Sequence, residues 1–225
     1  MDTTSLPASA AVPTARRAAR RAGVAACLVA TAALSAVSNA TAPDFPVDAA
    51  DRLQAMAGAG DRAWVSAFAF VLAQLPFVLA VLGLGALLRE RLPRLAPVAT
   101  GLAVLGGFGH AVFGGVSLTG IVLAADGAHR AVHAEVLEDV ESSPIMAFAV
   151  MGLLSTVLGL VLLSVALWRG RLGPRWVPVV LGAFLVVEFA GSAVTAWSFE
   201  VAAVLYLIAF GALARALLEP GPDVV

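Results

Sequence analysis

Residues 67–115 read AFAFVLAQLPFVLAVLGLGALLRERLPRLAPVATGLAVLGGFGHAVFGG: an apolar run, a turn carrying Arg89, Arg91 and Arg94, and a second apolar run. Each run is near the ~20 residues with which a helix crosses a ~30 Å hydrocarbon core, so the stretch reads as a membrane hairpin. A diverged copy follows at 147–196. Ala67-Phe68-Ala69 aligns with Ala147-Phe148-Ala149, and Arg89, Arg91 and Leu92 align with Arg169, Arg171 and Leu172. One extra residue in the second turn then sets Arg94 on Arg175, Pro97 on Pro178 and Phe108 on Phe189. Apolar residues match easily by chance, whereas the Arg-x-Arg-Leu turn with its downstream arginine and proline does not. Both copies enter the membrane from the same side, which makes this a parallel repeat.

Working outward, the composition agrees. The chain of 225 residues is 60% hydrophobic and 13% charged, with a mean hydropathy of +0.94, which leaves too little polar surface for a water-soluble domain. Every basic residue is arginine, a mark of a GC-rich genome rather than of function. The lone Cys27 excludes an intramolecular disulfide and a multi-cysteine metal site.

The expected fold class is an all-α membrane protein, a six-transmembrane-helix bundle with an internal helical-hairpin repeat. Residues 1–21 read as a disordered cytoplasmic tail ending in Arg16, Arg17, Arg20 and Arg21. Residues 22–218 form the membrane domain, with helices expected at about 22–40, 63–88, 96–124, 145–168, 176–198 and 200–217. Residues 219–225 form a cytoplasmic C-terminal tail. The first segment has two readings, because a basic region, an apolar core and a small-x-small end also describe a cleavable signal peptide. An uncleaved helix is the reading adopted, and the remaining topology is the same under both.

Loop charge sets the orientation. The arginines gather in the tail and in the turns 89–94 and 169–175, while 42–62 and 125–144 hold nine carboxylates with only Arg52, Arg62 and Arg130. Arginine-rich loops stay inside, so both termini are expected in the cytoplasm and the protein in the plasma membrane as a multi-pass chain. Trp64, Trp168, Trp176 and Trp197 fall at segment ends, where an interfacial belt places aromatic rings. Within the acidic loops, 47–57 and 129–141 mix apolar and charged residues at helical spacing and read as short surface helices.

Few residues inside the apolar segments carry chemistry. Glu188 lies deep in the fifth segment, where an unpaired carboxylate is costly and must face protein or trapped water. His110 sits in the third segment, about one helical turn further outward in the repeat alignment, and pairs with Glu188 if those helices are neighbours. Two readings stand side by side: a catalytic or ligand-binding polar centre, or a structural hydrogen bond between helices. Gln74, followed by Pro76, is a further ligand-binding candidate, and Ser155, Thr156, Ser192, Thr195 and Tyr206 are other polar side chains in apolar context. His129 and His133 are four apart and would share a helical face, a weak metal candidate beside the bland reading of a solvated acidic loop. A lone core histidine excludes a multi-haem cytochrome, and the nucleotide-binding, hydrolase and zinc-protease motifs are absent. No metal, no cofactor and no nucleic-acid partner is expected.

The opening Ala18-Ala19-Arg20-Arg21-Ala22-Gly23, the inside Arg-x-Arg-Leu turns and Arg171-Leu172-Gly173-Pro174-Arg175-Trp176-Val177-Pro178 carry a resemblance. In these the chain resembles the small six-helix integral membrane proteins of unknown function found in actinobacteria. That resemblance implies a fold and no activity. The functional expectation is binding or transport of a small or lipid-like molecule through an intramembrane site. An accessory protein without site chemistry and an enzyme acting on a lipid or isoprenoid-like substrate, with Glu188 as acid, stay open beside it. The bilayer is the expected partner, and oligomeric state is left open.

Overall fold

The computed structural model describes residues 11–191 and 197–219. They form α1 (Ala11–Thr41), α2 (Ala49–Ala59), α3 (Asp61–Leu88), α4 (Leu95–Ala125), α5 (Arg130–Ser142), α6 (Met146–Gly170), α7 (Val177–Ala190) and α8 (Ser198–Leu218), with no strand among the described residues. Five helices, α1, α3, α4, α6 and α8, contain stretches long and apolar enough to cross a membrane. The architecture is therefore all-helical and multi-pass. At 14 residues α7 is apolar but shorter, with a rise of ~21 Å. Ser192 and Thr195, expected in the same segment, lie outside the described residues. The two stretches read as copies differ in their described helices, 28 and 31 residues in one against 25 and 14 in the other.

The N-terminal expectation needs correction. Among the described residues the first helix already includes Ala11 rather than starting near Ala22, so residues 11–21 are helix and not a disordered tail. Alanine and arginine are among the strongest helix formers, and the apolar turns that follow supply the nucleus onto which they propagate.

The apolar helices close into a ring in chain order. Contacts run from α1 to α3, α3 to α4, α4 to α6, α6 to α7, α7 to α8, and α8 back to α1. The tightest seam, α4 on α6, is made by missing side chains. A Cβ built on Gly109 would lie 2.5 Å from the Phe148 carbonyl oxygen and 2.6 Å from Gly152 Cα, and one on Gly159 would lie 2.5 Å from the Ala103 nitrogen. Lipid supplies no hydrophobic drive between helices, so such backbone proximity and its dispersion contacts hold the pair.

The two ends of the ring differ. At the arginine end Leu28, Leu84, Leu163 and Leu213 are buried together against Ala96, Ala99 and Ala166. There Arg91 reaches across from the first turn and donates to the Gly170 carbonyl at 2.5 Å. The α6 terminus closes through Arg171, which takes left-handed φ 51, and the Leu172 N–H donates to Leu167 O at 3.2 Å. This is the six-to-one bond of a Schellman cap.

At the acidic end α2 and α5 form a lid-like layer over α3 and α4. Asp48 caps α2 by accepting from the Asp51 N–H at 3.0 Å. Leu53 and Met56 of α2 pack with Ile121 and Ala124 of α4 and Ala134 and Leu137 of α5. Arg52 pairs with Glu141 at 2.6 Å, tying α2 to α5, and Arg130 donates to Gln54.

Candidate functional site

Inside the ring the packing gives way. A cavity of about 100 Å³ is lined by all six ring helices, and it receives Gln74 from α3, His110 from α4, Thr156 from α6, Glu188 from α7 and Tyr206 from α8. A vestibule of about 600 Å³ adjoins it toward the acidic end, lined by Asp44 and Phe45 of the α1–α2 link, Ser117 of α4 and Glu200 of α8. Ser38, Asn39, Phe70 and Glu188 line both spaces, so Glu188 stands where the vestibule meets the deep pocket. The leucine cluster of the arginine end lies beyond it.

Local sequence explains each placement. Gln74 donates through Nε2 to the Phe70 carbonyl at 2.9 Å, within its own helix and one turn back. Pro76 in the next half-turn has no N–H to donate, which loosens the α3 ladder beside the cavity. His110 fits because α6 carries no side chain opposite it: a Cβ on Gly152 would approach His110 N to 2.9 Å and its ring Cδ2 to 3.1 Å. Its Nδ1 lies 3.5 Å from Thr156 Oγ1, a long contact, and its ring tilts against Phe70 with centroids 5.8 Å apart. Tyr206, buried, stacks on Phe184 at 4.6 Å and leans on Phe210 at 4.1 Å.

The carboxyl of Glu188 is the anomaly. Its Oε2 is buried and has no hydrogen-bond partner among the described residues. The carboxylate–imidazole pair envisaged with His110 is not formed: no hydrogen bond joins the two, because α6 stands between α4 and α7 in the ring. They meet only as linings of one cavity. Thr31 Oγ1 in the pocket and Ser198 Oγ in the vestibule are also buried without partners. Buried polar atoms are normally satisfied, since leaving one bare costs about 1–3 kcal/mol. These three oxygens border the two adjoining hollows, where water or a ligand has room to satisfy them.

His129 and His133 lie side by side as their spacing suggests, with ring centroids 6.3 Å apart, although one helix does not carry both. The Asp126 side chain accepts from the Ala128 N–H at 3.2 Å and organises a tight turn over Gly127–His129, so His129 precedes α5 and only His133 lies within it. His129 donates to Asp126 Oδ2 at 2.8 Å, which holds the Asp126 carboxyl below its ordinary range. His133 donates to the Leu123 carbonyl at 3.0 Å, closing the end of α4. Both Nδ1 atoms are thus occupied in the turn, and no group of three metal-ligating side chains assembles among the described residues.

One helix was missed as a lining. Thr31, Ser35 and Ser38 of α1 all face the pocket. Their spacing of four and three residues is a polar stripe at helical period, a readable signal within a segment dominated by alanine. In comparison with known proteins, the chain matches no family model, no curated relative and no solved structure.

Proposed function

We propose that the protein is a six-crossing protein of the plasma membrane, with both termini and its arginine turns cytoplasmic. In this reading it binds a small or lipid-like molecule that enters from the acidic, outer side, and Gln74, His110 and Glu188 frame the receiving site. The arginine bias of the turns supports the orientation. The observation that carries the reading is the pair of adjoining hollows that meet at Glu188 and end against a leucine-packed floor. A merely structural glutamate would lock helices by a hydrogen bond, and Glu188 Oε2 has none among the described residues. A vestibule of about 600 Å³ falls in the range of small-molecule sites. Movement of the bound molecule would require the leucine floor to part, so binding is the first step to test.

Single-cysteine accessibility provides the test. In a Cys27→Ala background, reconstituted into nanodiscs, a small neutral methanethiosulfonate is expected to modify Ser117→Cys in the vestibule and Ser35→Cys in the pocket. Leu84→Cys in the floor is expected to stay unmodified. If Ser35→Cys proves as inert as Leu84→Cys, the hollow is not reachable and the binding reading falls.

A further inference from the structure

The lining of the two hollows has a sign. Asp44, Glu188 and Glu200 contribute carboxylates, and no arginine among the described residues lines either space. Low-dielectric walls around charges of one sign focus the field and concentrate the opposite charge. The second component is aromatic: Phe70, Phe77, Phe184 and Tyr206 border the deep pocket, with Phe184 and Tyr206 stacked 27° from parallel. Aromatic faces attract cations, and they do so most where water is excluded.

We infer that the ligand is a small organic cation with an apolar body, its charged head in the deep pocket against Glu188 and the aromatic rings and its body toward the vestibule. This deepens the binding reading above and rests on it. The charge of such a ligand satisfies the bare Glu188 oxygen. The buried hydroxyl of Thr31, 2% exposed, and that of Ser198, 1% exposed, both without partners among the described residues, supply acceptors for N–H donors at the two levels. A pocket of about 100 Å³ takes a head group, not a whole molecule, and the larger vestibule takes the remainder. An anion would meet three carboxylates, and a neutral molecule would leave Glu188 unpaired. A bare inorganic cation would leave the aromatic faces and the larger vestibule without a partner, whereas a cation with an apolar body covers both.

The test uses the full chain in nanodiscs, in the Cys27→Ala background, with Ser35→Cys as reporter. Modification rates by trimethylammonium-bearing, sulfonate-bearing and neutral methanethiosulfonates are each normalised to the same reagent acting on a free thiol in solution. The cationic reagent is expected to outpace the anionic one by on the order of tenfold or more. Glu188→Gln should remove most of that preference, and Glu188→Asp should retain it. Phenyltrimethylammonium should slow modification saturably, while tert-butylbenzene, its uncharged counterpart of like shape, should not. Equal normalised rates, or equal protection by tert-butylbenzene, would overturn the cation inference while leaving the cavity reading intact, provided the neutral reagent still reaches the cysteine. No reaction with any reagent would overturn both.

Discussion

At the arginine end of the ring, Leu28, Leu84, Leu163 and Leu213 meet with almost no exposure; toward the acidic end the six helices part around a pocket of about 100 Å³ that opens at Glu188 into a hollow of about 600 Å³. The first half is held by interlocked leucines, by alanines that let helices close, and by the Arg91–Gly170 bond across two turns. The second half tolerates bare polar oxygens at Thr31, Glu188 and Ser198. The contrast teaches that stability and the candidate site are divided along the membrane normal. Leucine packing is concentrated at one end, and although Thr100 Oγ1 and Ser164 Oγ are buried without partners there too, the one buried carboxyl oxygen without a partner among the described residues, that of Glu188, lies at the hollow.

The division predicts a gradient of mutational effects. Leu84→Ala in the packed end should be the most damaging change, destabilising by about 3 kcal/mol in unfolding from detergent, since it opens a void in a fully buried cluster. Gly109→Ala comes next, at about 2 kcal/mol, because its new Cβ meets the backbone of α6 rather than a side chain that can turn away. The same substitution should also move the His110 ring, visible as a shift of its NMR resonances. Arg91→Ala should cost about 1 kcal/mol through loss of the hydrogen bond to Gly170. Glu188→Gln should leave stability within about 0.5 kcal/mol of the parent, since its Oε2 has no partner among the described residues to lose. A loss there as large as that of Leu84→Ala would erase the distinction between the two ends.

The smallest effect concerns pH and lies outside the hollow. His129 holds the Asp126 carboxyl below its ordinary range, so the bond stabilises the α4–α5 turn above the usual carboxylate pKa and is lost as pH falls through the lowered one. Asp126→Asn should therefore differ from the parent near neutrality and converge with it in acid, measured as protease susceptibility of the turn.

The all-helical, multi-pass character was legible because apolar runs of bilayer length have no other common origin. The start of α1 was not, since the polarity of Arg16, Arg17, Arg20 and Arg21 masked their helix propensity. Glu188, His110 and Gln74 stood out as polar residues in apolar context, but that they line one cavity depends on ring closure, which no local pattern encodes. The expected contact between Glu188 and His110 rested on neighbouring helices, and α6 separates them. The Thr31, Ser35 and Ser38 stripe was present in the sequence but diluted by small residues and by the resemblance of that segment to a signal peptide. The nearness of the two histidine rings was legible from their spacing, but a side-chain turn at Asp126 governs residues 127–129 and leaves His129 just ahead of the helix.

The central claim is that Glu188 belongs to a hollow reached from the acidic end rather than to a sealed core. Infrared difference spectroscopy of the protein in nanodiscs tests it most directly, by following the Glu188 carboxyl band, identified by its loss in Glu188→Gln, while bulk pH and D₂O content are changed. The account predicts a band that responds promptly to both. A band unmoved at every pH at which the protein stays folded would contradict it.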